Sequence, residues 1–147
     1  MTYFADLSPW GDASDQLTAV GWLESDREYH RGDVPVSVVA RLMQLLIDPW
    51  QPAVTAGYHD CSFCRVSGGP HQFTFNGTTI DVGNSNLFVP ADGQIFIAPS
   101  LILHYIDAHG YAPPQSFQDA VLACPDMQSK EYLAAIRKTP LSNYLPS

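Results

Sequence analysis

Apolar residues recur at helical spacing in VPVSVVARLMQLLIDPW, where Val36, Val39, Met43 and Leu46 share one stripe. Asp33 can cap this helix, Pro35 suits its first turn, and Asp48-Pro49 ends the run. Ahead of it, YFADL and LTAVGWLES read as short aromatic-rich strands joined by Gly, Asp and Ser turns. After residue 70 the pattern shortens to strand length. HQFTF and TTIDV flank Asn76-Gly77, a dipeptide that supplies both positive φ angles of a type I′ turn. LFVP and QIFIA flank Ala91-Asp92-Gly93, which predicts a second, slightly longer hairpin. His71 to Ala98 therefore reads as a small antiparallel meander.

Helices follow the strands. PSLILHYIDAH is predicted to open at Pro99 and Ser100 and to stop at Gly110, a natural left-handed helix end. PPQSFQDAVLAC starts on a proline pair and places Phe117, Val121 and Cys124 on one stripe. SKEYLAAIRK turns Tyr132, Leu133 and Ile136 inward. This order predicts an α+β fold. The expected organisation is one domain over 1–147, with short strands and a helix in 1–56, a zinc-binding unit in 57–111 and helices in 112–147.

Composition narrows the function. A chain of 147 residues with 46% apolar content can bury a core without disulfides. Its net charge of −8 repels phosphate backbones and anionic lipid, so neither nucleic acid nor membrane is an expected partner. The start MTYFADLSPWGD lacks the basic and apolar regions of a signal peptide, and a cytoplasmic location is expected. Trp10, Trp22 and Trp50 read as core or its rim, Cys124 as buried and His30 as solvated.

The chemistry concentrates in two short stretches. Two of the three cysteines, Cys61 and Cys64, stand in a Cys-x-x-Cys turn, and His104 and His109 stand at the end of a predicted helix. Zinc takes four thiolate or imidazole donors in a tetrahedron, and two intervening residues let one turn supply two sulfurs. Five positions separate the histidines, so on an ideal helix they diverge by about 140°. A loosened last turn before Gly110 is needed to bring His109 back, and His59 is the alternate fourth ligand. His71 is a more distant candidate, and Asp81 or Asp107 could orient an imidazole from behind.

Other uses of the cysteines fit less well. A redox dithiol usually opens a helix, and Gly68-Gly69-Pro70 blocks one here. Haem attachment needs a histidine directly after the second cysteine, where Arg65 stands. Ordinary buried thiols are the bland alternative. Four protein ligands make a closed, structural site, whereas three leave a place for water and chemistry.

GYHDCSFC, NLFVP and APSLILHYIDAHGYAPPQSFQDAV together resemble an uncharacterised bacterial protein family. Its members share a Gly-x-His-x-Cys-x-x-Cys element and an Ile-x-His-Tyr-Ile-x-x-His-x-Tyr-x-Pro-Pro element. The resemblance implies that His59, Cys61, Cys64, His104, His109 and Tyr111 belong to one site. It implies no activity. The expected function is a non-enzymatic zinc-binding protein, an interaction or immunity-type module with a protein partner. The alternative is a small zinc-dependent hydrolase with an open metal position.

Overall fold

A computed structural model describes residues 3–10, 16–52, 60–64 and 69–145. Its central strand is an uninterrupted apolar run. Strand β5 (Gln94–Pro99) buries every residue after Gln94, so both of its faces must be covered. β4 (Asn86–Ala91) pairs with it antiparallel, and β1 (Leu17–Ala19) pairs on its other side in parallel, with Leu17 opposite Ile95. The segment from Phe4 to Trp10 then lies along β1, with Leu7 N–H on Ala19 O and Ala19 N–H on Ser8 O, each at 2.8 Å. That pairing covers the outer edge of β1.

The β region divides where a single meander was expected. β2 (Gln72–Phe75) and β3 (Thr78–Asp81) form their own two-stranded sheet, separate from β4 and β5. Ser100 accounts for the break between them. Its Oγ accepts Gly83 N–H at 2.8 Å, and its own N–H donates to Ser85 O at 2.9 Å. The linker is thus turned away before it can pair β3 with β4. Both hairpins close on two residues. Asn76 and Gly77 have φ of 49° and 79°, and Asp92 and Gly93 have 49° and 81°, as type I′ turns require. The second turn is shorter than expected because Ala91 already pairs with Gln94.

Helix α1 (Val36–Ile47) forms as its spacing predicts, with its stripe rotated. Val38, Leu42, Met43, Leu45 and Leu46 face the core, so Met43 and Leu46 of the expected stripe are buried, whereas Val36 is 67% exposed. Asp33 does not cap it. Pro35 occupies the cap position, and its carbonyl accepts Val38 N–H at 3.0 Å. Helix α2 (Ile102–His109) starts later than Pro99, because Pro99 stays in β5 opposite Asn86. α3 (Gln115–Ala123) buries Phe117 and Val121, and α4 (Lys130–Arg137) buries Tyr132 and Ile136. A 3-10 turn, Pro140–Tyr144, follows.

These helices and small sheets make an α+β protein. Phe96 meets Phe117 edge-on at 5.8 Å, and Tyr132 OH donates to Phe88 O at 2.7 Å. α3 and α4 are thereby anchored on the three-stranded sheet. Trp22 joins the core and donates its indole N–H to Ile97 O at 2.8 Å, while Trp10 and Trp50 pack at its rim. Among the described residues, no helix is long and apolar enough to cross a membrane.

Candidate metal centre

The cysteine turn is shaped by its backbone. Cys64 N–H donates to Cys61 O at 3.2 Å, and the amides of Phe63 and Cys64 both face the Cys61 sulfur. Gly69 closes the turn from below, with φ of +94°. A Cβ at that position would stand 2.7 Å from the Cys61 Cβ, so only glycine lets the chain pass so near. Ser62 anchors the turn to the N-terminal part through its Oγ, which accepts Ser25 N–H at 2.8 Å.

Helix α2 supplies the histidines. His104 lies in its first turn, 8% exposed, and His109 is its last residue. The helix stops in a left-handed Gly110, φ 65°. Gly110 N–H and Tyr111 N–H both reach back to Tyr105 O, five and six positions away instead of four. This wider closing turn is the loosening that the histidine spacing required. The two imidazoles stand nearly perpendicular, at 85°, with their Nε2 atoms 3.2 Å apart.

Cys61, Cys64, His104 and His109 therefore converge, with ligand atoms all within 4.8 Å of one another. Cys61 Sγ is 3.5 Å from His109 Nε2, and Cys64 Sγ is 3.4 Å from His104 Nε2 and 3.7 Å from His109 Nε2. The chemistry of the donors gives a test. Sulfur at about 2.3 Å and nitrogen at about 2.0 Å from a tetrahedral ion leave N–N edges of about 3.3 Å and S–N edges of about 3.5 Å. The N–N separation and three of the four S–N separations match these values to within about 0.2 Å. On those edges the four residues fit one tetrahedral ion.

Electrostatics point the same way. Burial pushes the Cys61 thiol up to about 11, although the amides of Phe63 and Cys64 oppose it. A thiolate at this place thus calls for a compensating cation. Burial holds His104 below the ordinary imidazole value, with His109 adding to the effect and Asp107 opposing it. Burial and the Arg31 charge lower His109 as well. Both rings are kept neutral, the form that binds a metal.

Several residues around the cluster carry no signal in the sequence. Phe63 lies against His109 at 4.8 Å between ring centroids and meets Tyr29 edge-on at 5.4 Å. Tyr29 OH donates to His109 O at 2.7 Å, which fixes the end of α2 from outside. Position 63 could have been noticed as the apolar residue inside the cysteine turn. Nothing local marks Tyr29.

The other candidates stand elsewhere. His59 lies outside the described residues. Tyr111 is fully buried, but its hydroxyl donates to Asp6 Oδ2 at 2.7 Å, so it stands behind the cluster and not in it. His71 is exposed at the start of the small hairpin, its carbonyl accepting Val82 N–H. Asp81 is exposed on β3, and Asp107 is exposed on α2, where its charge acts on His104. Cys124 is buried at the end of α3, and its thiol donates to Pro125 O at 3.3 Å. His30 is exposed.

No curated protein and no solved structure matches this chain. The family described as a domain of unknown function, DUF7919, matches residues 2–122, which include the cysteine turn and helix α2. The chain belongs to that family.

Proposed function

We propose that the protein binds one zinc ion through Cys61, Cys64, His104 and His109, and that the ion is structural. The observations that carry this reading are four of the six donor separations, 3.2 to 3.7 Å, which match tetrahedral edges for sulfur and nitrogen ligands. Two thiolates and two imidazoles suit zinc and poorly suit magnesium or calcium, which prefer oxygen. Four protein donors fill the coordination sphere and leave no place for a reacting water.

The ion would join the cysteine turn to α2, two pieces of chain about forty residues apart. When bound it supplies folding free energy. Cys61 and Cys64 hold it from the turn, His104 from the first turn of the helix, and His109 from the helix end that Tyr29 steadies. The non-enzymatic reading extends to a binding role toward a protein or small molecule. The charge of −8 supports that choice over nucleic acid.

Plasma mass spectrometry of protein purified without chelators should find one zinc per chain. X-ray absorption should fit a shell of two sulfurs and two nitrogens. A light-atom ligand in place of one histidine would instead support an open, hydrolytic site. Metal-free protein that is fully folded after growth in zinc would end the proposal.

A further inference from the structure

Beside Phe63, and lined by none of the four metal donors, lies an open groove of about 600 Å³. Arg27, Arg31, Asp26, Glu28, Tyr29 and Phe63 form its walls. Its volume falls within the range of small-ligand sites. Each guanidinium lies on a tyrosine face, Arg27 4.9 Å from the Tyr3 centroid and Arg31 4.5 Å from that of Tyr29. Stacking fixes the plane of a guanidinium and leaves its N–H edge for a ligand.

Among the described residues, no carboxylate forms an ion pair with either arginine. Among the described residues the ion pair is Arg41–Asp126, and Arg27 and Arg31 pair with neither Asp26 nor Glu28, although all four share the groove. Arg31 gives one N–H to His109 O at 3.4 Å and keeps the rest of its fork. The groove is also preformed. Phe63 is held by the cysteine turn, Tyr29 by its bond to His109 O, and Ser25 by Ser62 Oγ.

The balance of charge limits what fits. Two arginines face two carboxylates in the same lining, so the field is near neutral and gathers no anion by charge alone. Selection then falls to geometry. A guanidinium fork matches a carboxylate, and Phe63 with Tyr29 offers an apolar wall beside it. From this combination we infer that the groove binds a carboxylate carried on an apolar body. Such a group is found on a small aromatic acid or on a peptide chain ending in an apolar residue.

Isothermal titration of the zinc-loaded protein tests this with three probes. They are 3-phenylpropionate, a short peptide with a free C-terminal phenylalanine, and the same peptide as its C-terminal amide. At least one free acid should bind saturably, the amide should not, and Arg27→Gln or Arg31→Gln should each weaken binding by about tenfold or more. Arg31→Lys keeps the charge but loses the fork, and it should weaken binding too. Arg137→Gln on α4 should leave it unchanged. Binding of the peptide alone assigns the ligand to a chain end, and binding of the small acid alone assigns it to a free acid. Both outcomes support the groove. It is overturned if neither acid binds, if the amide binds as well as the acid, if inorganic phosphate binds more tightly than both, or if the glutamine variants bind normally. Zinc content measured on each sample reports on the metal site separately.

Discussion

Replacing Cys64 with serine removes one sulfur donor and keeps nearly the same side-chain shape. The turn that carries Cys64 has few other ties. Its Cys64–Cys61 backbone bond is local, and its longer-range contacts include the Ser25–Ser62 bond and the ring contacts of Phe63. Structural zinc contributes about 10–16 kcal/mol of apparent binding free energy in finger peptides, so one donor of four answers for about 3 kcal/mol. In a domain of this size, ~3 kcal/mol lowers the melting temperature by about 6–12 °C. Calorimetry should find that gap between wild type and Cys64→Ser at one fixed concentration of free zinc that saturates both proteins. At lower free zinc the gap should shrink, by mass action. With a chelator in excess the two proteins should melt together, because the lost donor then has nothing to hold. A Cys64→Ser protein with undiminished zinc affinity would refute the reasoning. So would a gap of the same size in chelator, which would make Cys64 a packing residue.

Gly69→Ala places a Cβ 2.7 Å from Cys61 Cβ at a φ of +94°, so the turn must move. A backbone cost of about 1–2 kcal/mol and at least a tenfold loss of zinc affinity are expected in competition with a colorimetric chelator; unchanged affinity would mean that this turn does not position Cys61. At Gly110, by contrast, nothing stands within 4 Å of an added Cβ. Gly110→Ala should therefore cost only the left-handed backbone term, about 1 kcal/mol or 2–4 °C in melting temperature. A far larger loss would reveal strain at the helix end. Asp6 sits behind the site, where burial raises its carboxyl above the ordinary 3.8, against the Gly21 and Tyr111 hydrogen bonds and the His30 charge. A raised carboxyl stabilises the fold only while protonated, so its contribution falls as pH climbs from 3.8 through the folded value. Denaturant titrations should thus show Asp6→Asn gaining on wild type over that window, then holding a constant difference; a difference that shrinks with pH would contradict the burial argument.

Much of this protein is written locally. Asn76-Gly77 and Asp92-Gly93 adopt type I′ turns because the steric preferences of those residues act within two positions. Gly110 ends α2 for the same reason, and the spacing of apolar residues produces α1 and α3. The four side chains that converge were legible too, since Cys61 and Cys64 share a turn and His104 and His109 share a helix. What the chain could not announce is anything that depends on distant partners. Val36 and Leu42 are equally apolar, and only the packing of α1 decides that one is exposed and the other buried.

The same holds for the sheets and for the surroundings of the site. The parallel pairing of β1 with β5 joins segments some eighty residues apart, and Ser100 separates β3 from β4 by bonds no pattern encodes. The extra reach of the last turn of α2, the cover of Phe63 and the clamp of Tyr29 on His109 O arise only once the layers are stacked. Local sterics act through a few bonds and can be read from neighbours. Burial is shared by the whole core, so its outcome at any one residue exists only in the folded chain.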